Sequence, residues 1–219
     1  MGHGASFSLP LERPSKIVCV GRNYMAHARE MGNSVPAEPL LFFKPPSALI
    51  PTGAPIVLPR ISNHVEHEGE IAVIVGRRLR LASEEESLEA ISHVLPLNDV
   101  SARDLQRSDA QWTRAKGFDT FCPVGAPVPV ASLRERGLSL ETLEITTHVN
   151  GELRQHGRAL DMVFSIPFLL AYASRIMTLE PGDIVTTGSP EGVSPLHPGD
   201  VVKVQIPGLS AVENPVEAE

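Results

Sequence analysis

The chain has 219 residues, 42% of them hydrophobic and 21% charged, with a formal net charge of −7. That composition suits one ordinary globular domain with a sizeable core, and the acidic balance without any basic run argues against nucleic acid as a partner. Only two cysteines occur, too few for a disulfide framework, and no run of ~18 apolar residues or charged-then-apolar leader is present. The expectation is a reduced, cytoplasmic-type protein without a membrane segment.

Aromatics make up 5% of the chain, while Pro and Gly number 20 and 17. Together with short apolar runs this predicts many short strands and turns, a mixed β-rich α+β fold. In chain order, a strand is expected over 16–20, which carries Cys19. A helix follows over about 24–31. His27 and Glu30 stand three apart and so share one helical face, where a carboxylate can fix an imidazole's tautomer and raise its basicity. A strand is expected over 40–43.

The segment His67-Glu68-Gly-Glu70-Ile-Ala-Val-Ile-Val75 is the most informative. Side chains alternate across a strand, so Glu68 and Glu70 project from the same face at the entrance of a buried strand, 70–75. Two like charges so close repel, and each is driven to hold a proton unless something cationic lies between them. No run of lysines is at hand, so a divalent cation with hard oxygen ligands is the simplest candidate. His64 and His67 invite a zinc reading, but their spacing sets them on opposite strand faces, which ranks it below an all-oxygen site.

A helix is expected over 84–93 behind Ser83 as N-cap, then a strand over 94–97 that delivers Asp99 into a turn, then a helix over 101–107. Asp99 is the third acid at a strand end, completing a Mg²⁺ or Mn²⁺ set. Lys116 falls in a turn-like stretch, and Cys122 in a Pro-flanked one. Residues 143–149 alternate toward Asn150-Gly151, a strong hairpin signal. A helix is expected over 161–176 behind Asp161, and strands over 184–187 and 201–206. Asp183 and Asp200 follow Pro-Gly pairs and read as turn residues. Gly188 could let a backbone N–H approach a carboxylate or phosphate. No repeat or linker divides the chain, so it reads as a single catalytic domain, 1–219, with its core at about 16–206.

Taken together, Val20-Gly-Arg-Asn-Tyr, His27-x-x-Glu30, Phe43-Lys-Pro, His67-Glu-x-Glu70, Asn98-Asp-Val-Ser-Ala-Arg-Asp104, Lys116-x-Phe, Val149-Asn-Gly-Glu and Thr187-Gly-Ser-Pro-x-Gly-Val193 resemble the fumarylacetoacetate hydrolase family. The likeness is nearest to its small single-domain acylpyruvases and runs from about Lys16 to about Ile206. The resemblance implies a β-roll of mixed sheets around a metal site, and a homodimer. It also implies that Glu68, Glu70 and Asp99 are the Mg²⁺ or Mn²⁺ ligands and that His27 and Glu30 form a water-activating dyad. Arg103, Gln106 and Lys116 match residues that hold the substrate. Thr187 and Ser189 would meet its carboxylate, Ser189 standing where the family more often has threonine. The loop between Gln106 and Trp112 is shorter than in the acylpyruvases, which bears on substrate preference.

The implied activity is metal-dependent hydrolysis of the C–C bond of 3-acylpyruvates such as acetylpyruvate or fumarylpyruvate. Cleavage leaves a carbanion that is accessible only as the enolate of pyruvate, for which a metal chelating the carboxylate and 2-oxo group is the electron sink. Lys116 would add positive charge where the enolate forms, and His27 would take a proton from water. The alternative is an oxaloacetate decarboxylase, a keto–enol tautomerase or a 2-hydroxy-dienoate isomerase-decarboxylase, which need the same enolate-stabilising site but no attacking water. A non-enzymatic domain with a structural Ca²⁺ would leave His27 and Lys116 without a task.

Overall fold

The computed structural model describes residues 11–30, 32 and 36–219. The sequence readings at Met1–Pro10 and at the end of the first helix, residue 31, lie outside the described residues. Two mixed sheets dominate. The six-stranded sheet runs, edge to edge, Val128–Pro129, Ile91–Asn98, Gly69–Val75, Ile184–Thr186, Ile17–Gly21 and Leu40–Lys44. All its pairings are antiparallel except Ile17–Gly21 against Ile184–Thr186. The five-stranded sheet runs Glu152–Arg158, Glu144–Val149, Val201–Ile206, Ser210–Ala218 and Ile56–Leu58, the last pair parallel. No helix among the described residues is long and apolar enough to cross a membrane.

The run Ile71-Ala-Val-Ile-Val75 is apolar on both faces because both faces are covered. Ile71, Val73 and Val75 join the large core shared with Ile145, Val149, Val202, Val204 and Val212 of the second sheet. Ala72 and Ile74 pack on the opposite side with Ile17, Cys19, Leu95, Leu97 and Ile184. A continuous hydrophobic strand is the sequence signature of burial on two sides.

Several expected boundaries shift. The helix behind Ser83 forms, with a complete capping box to Glu86, but it covers Glu84–Ala90 only. Ile91 already belongs to the strand Ile91–Asn98, pairing with Val75; ladder hydrogen bonds and burial outweigh helical periodicity there. The helix placed behind Asp161 begins at Ile166 instead. Ser165 is its N-cap, accepting from the Phe168 N–H, with Pro167 in the first turn; proline's fixed φ suits that position. Asp161 lies in the preceding 3₁₀ turn, paired to Arg158. The helix expected over 101–107 is Arg103–Ser108, preceded by the bridge Ser101–Ala102 against Val65–Glu66.

The fold also continues past 206. Ser210–Ala218 pairs with both Val201–Ile206 and Ile56–Leu58, and so sits inside the second sheet. The Asn150-Gly151 hairpin forms, and its second strand is Glu152–Arg158. That strand shows little apolar alternation because it lies at the sheet edge with most side chains exposed.

Candidate metal centre

Glu68 and Gly69 enter the strand Gly69–Val75 beside Asn98, the last residue of the neighbouring strand, and Asp99 follows at once. The ends are tied together: Glu68 N–H donates to Asn98 Oδ1 at 2.9 Å and Asp99 N–H to the Glu68 carbonyl at 2.8 Å. The side chains of Glu68, Glu70 and Asp99 are buried, each offering an oxygen within 4.8 Å of the others. Gly69 lies between the two glutamates because a Cβ there would fall 2.0 Å from Thr147 Oγ1 of the second sheet.

The positive charge that the glutamate pair demands comes partly from the protein itself. Lys116 Nζ bridges Glu68 Oε2 at 2.6 Å and Asp99 Oδ2 at 2.7 Å. Lys44 Nζ reaches Asp99 Oδ1 at 2.6 Å and the Val100 carbonyl at 3.0 Å. Arg103 forks between Glu66, at 2.7 Å, and Glu68, and its third nitrogen donates to Gln106 Oε1 at 2.8 Å. Both lysines are almost wholly buried, although a lone lysine is ordinarily solvent-facing. The absence of a lysine run hid these cations, since each arrives from a different segment.

These pairs set the protonation states. Burial pushes the Glu68 carboxyl up, but Arg103 and Lys116 outweigh it and hold it well below the carboxylate range. Burial also opposes the Lys116 ammonium, and Asp99 and Glu68 reverse that, raising it. Glu70 is different: burial raises it, Asp99 and Glu68 raise it further, and its value stands well above normal. Among the described residues Glu70 makes no ion pair, and its Oε2 accepts the Gly188 N–H at 2.9 Å. The backbone N–H freed by Gly188, at φ +90°, is thus spent on a carboxylate of the protein's own. A buried carboxylate in a cluster of three hard oxygens and short of positive charge fits a divalent cation.

A cavity of about 310 Å³ opens onto this cluster. Its wall includes His27, Glu68, Glu70, Arg103, Gln106, Lys116 and Ser189, with Arg22, Phe42 and Trp112. Phe42 and Trp112 meet edge to face at 5.2 Å, and Lys116 Nζ lies 4.9 Å from the Phe42 ring centroid. His27, on the helix Met25–Glu30, is buried, with Nδ1 at 3.1 Å from Glu30 Oε2 and Nε2 at 3.6 Å from Glu68 Oε1. Burial lowers its basicity, but the Glu68 and Glu30 carboxylates more than compensate, and the net shift is upward. Glu30 is itself held by the Gly192 N–H at 3.0 Å.

Not every expected residue reaches the cavity. Thr187 is fully buried, with its Oγ1 donating to the Ile71 carbonyl at 2.8 Å, so its hydroxyl is committed to the sheet. His64 pairs with Glu66, and His67 with Gln155 and Ser194, so neither histidine joins the carboxylates. Burial pushes the His67 imidazole down, toward its neutral form. Asp183 is no simple turn residue: it is buried and accepts from Ser15, Lys16 and the Glu180 N–H. Cys19 and Cys122 are buried free thiols, the latter pushed up to about 12 by burial. Of Arg22, Tyr24 and Lys44, which the sequence reading offers as pocket-lining residues, only Arg22 is in the cavity wall, and Lys44 lies beneath it on Asp99. Glu66, Asn98 and Gln155 escaped the sequence reading; of these only Asn98 stood in a quoted motif.

The family description Fumarylacetoacetate (FAA) hydrolase C-terminal matches residues 16–217. The chain is 41% identical over 218 residues to the oxaloacetate tautomerase FAHD1, mitochondrial, of Bos taurus, covering 96% of this chain and 97% of that one. Among solved structures it is similar to the 5-carboxymethyl-2-hydroxymuconate delta-isomerase of Mycobacterium smegmatis. There the TM-score is 0.85 at 42% identity, over 94% of this chain and 80% of that one. It is also similar to the 2-hydroxyhepta-2,4-diene-1,7-dioate isomerase of Mycobacterium marinum, with a TM-score of 0.84 at 40% identity, over 94% and 76%. The chain belongs to the fumarylacetoacetate hydrolase family.

Proposed function

We propose that this chain is a keto–enol tautomerase acting on a small 2-oxo dicarboxylic acid, with oxaloacetate as the first substrate to test. One observation carries the chemistry: a buried imidazole, oriented by Glu30, faces the same small cavity as the Lys116 ammonium and the three-carboxylate cluster. The relatives support the reaction class. The three named above are described by tautomerisation of oxaloacetate and isomerisation of unsaturated hydroxy acids. This favours the enolate chemistry that needs no attacking water over cleavage of acylpyruvates.

A divalent cation held by Glu68, Glu70 and Asp99 would draw electron density from the substrate's carboxylate and 2-oxo group and so make the enolate accessible. The remaining roles fall to side chains. In the enol-to-keto direction a proton leaves the 2-hydroxyl and another is delivered to C3. His27, with its Nδ1 held by Glu30, is the group to carry that proton. Lys116 would face the oxygen on which negative charge grows, in a site with little water to screen it. Arg103 and Gln106, already joined to each other, would receive a carboxylate. The cavity, at about 310 Å³, lies at the small end of the ~300–1,000 Å³ typical of ligand pockets, which suits a compact dicarboxylate. A homodimer belongs to the same proposal and is read by analytical ultracentrifugation.

The test is the decay of enol-oxaloacetate ultraviolet absorbance with Mg²⁺ and then EDTA, beside acetylpyruvate in a parallel cuvette. Metal-dependent loss of the enol with acetylpyruvate untouched is the expected result. Cleavage of acetylpyruvate to pyruvate and acetate at a comparable rate would return the hydrolase reading.

A further inference from the structure

Gln155 lies on Glu152–Arg158, a strand of the second sheet, yet its side chain is buried under the carboxylate cluster. Its four polar contacts leave no freedom in how the amide is oriented. Gly69 N–H can only donate, and it lies 2.9 Å from Oε1; the Pro190 carbonyl can only accept, and it lies 2.8 Å from Nε2. Two backbone groups of opposite polarity therefore fix which end is oxygen. The second acceptor position of Oε1 faces His67 Nδ1 at 3.0 Å, so that nitrogen carries the proton. His67 Nε2 then accepts from the Ser194 hydroxyl at 2.9 Å.

The second hydrogen of Nε2 goes to Ser189 Oγ at 2.7 Å, and Ser189 in turn donates to the Gly69 carbonyl at 3.2 Å. The residue between Glu68 and Glu70 is thus gripped at both of its peptide groups, the N–H by Gln155 and the C=O by Ser189. We infer that Gln155 is a positioning residue: with Ser189 and His67 it locks the strand entrance Glu68-Gly69-Glu70 so that the two carboxylates present a fixed pair of oxygens to a divalent cation. Ser189 is then occupied by this network and does not donate to the substrate carboxylate. The inference rests on the reading of Glu68, Glu70 and Asp99 as cation ligands.

Titration of Mn²⁺ into the full chain, followed by calorimetry, is the first arm. Gln155→Leu and Ser189→Ala should each raise the Mn²⁺ Kd, Gln155→Leu by about 10–100-fold, as for other residues that orient a metal ligand. Ser189→Thr keeps the hydroxyl, and with it the orienting contact, so its Kd should stay within about twofold of wild type. Folded variants that bind Mn²⁺ with unchanged affinity overturn the inference, because a merely structural role would lower stability and leave Kd alone.

The second arm needs no variant and neither metal nor substrate. Long-range ¹H–¹⁵N correlation on the wild-type imidazoles should find His67 protonated at Nδ1, and protonation at Nε2 instead overturns the network. A wild type with the Nδ1–H form and Mn²⁺ affinity lost in Gln155→Leu, but no turnover of oxaloacetate, supports the inference while removing the proposed substrate.

Discussion

Gly69→Ala is the perturbation that best separates site geometry from general stability. The φ of Gly69 lies outside the left-handed region, so alanine meets no conformational obstacle there. The obstacle is space: the new Cβ would lie 2.0 Å from Thr147 Oγ1, 3.2 Å from Val204 Cγ1 and 3.4 Å from Gln155 Oε1. Thr147 cannot yield cheaply. It is fully buried, and a β-branched side chain has few χ1 wells, so turning the hydroxyl away either brings the methyl round or drives both branches into packed neighbours.

Overpacking of this kind costs about 1–3 kcal/mol. Replacing glycine restricts the unfolded chain and returns about 0.4–1 kcal/mol. The net loss is therefore centred on about 1.3 kcal/mol and reaches at most about 2.6, the midpoint being worth ~3–5 °C in Tm for a chain of this size. Urea unfolding of the metal-free protein measures it, and Mn²⁺ affinity should fall as well, since Glu68 and Glu70 flank the displaced residue. Thr147→Ala removes the clashing atom, and Thr147 Oγ1 makes no hydrogen bond that would be lost. The double variant should accordingly recover much of the stability, a coupling of opposite sign to simple additivity. A Gly69→Ala protein as stable as wild type, or a double variant no better than the single, would refute the packing argument.

Other expectations follow from single contacts. His27→Ala should slow enol-oxaloacetate turnover by ~10²–10⁴-fold, the usual worth of a positioned proton carrier, while calorimetry finds Mn²⁺ still bound. Lys44→Met leaves Asp99 with Lys116 alone; breaking a buried pair costs about 3–5 kcal/mol, and the lower end is expected in urea because that second lysine stays 2.7 Å away. Asp183 governs acid stability. Burial raises its carboxyl, but Lys16, Ser15 and the Glu180 N–H more than offset this and hold it below its ordinary 3.8. The unfolded chain therefore takes up the proton first, so the contribution is full above the unfolded value and fades as pH falls through the folded one. Asp183→Asn should lower the neutral plateau of a stability–pH curve and flatten its acid limb, because the contribution that acid titrates away is then missing at every pH. EDTA should abolish turnover and Mn²⁺ should restore it.

Much of the site was legible in the chain because it depends on local periodicity. Positions i and i+2 of a strand share a face whatever the rest of the molecule does, which placed Glu68 beside Glu70. A three-residue helical spacing placed His27 beside Glu30, and an apolar run followed by Asn-Asp placed Asp99 at a strand end. Ser83 and Asn150-Gly151 likewise act through hydrogen bonds and dihedrals within a few residues. The ordered motifs carried the family.

Tertiary structure alone decided what neutralises those acids. Lys44, Arg103 and Lys116 come from separate segments, and nothing in their own neighbourhoods distinguishes a buried lysine from an exposed one. The same holds for Gln155, which reaches the site from another sheet, for Thr187, whose hydroxyl is taken by Ile71, and for the strand Ser210–Ala218, whose partner at Ile56–Leu58 lies far back in the chain. Sequence patterns report the period of an element and the chemistry it carries. Which charges meet, and which polar groups are already satisfied, is settled only when distant segments are packed into one low-dielectric interior, where each unpaired group is costly.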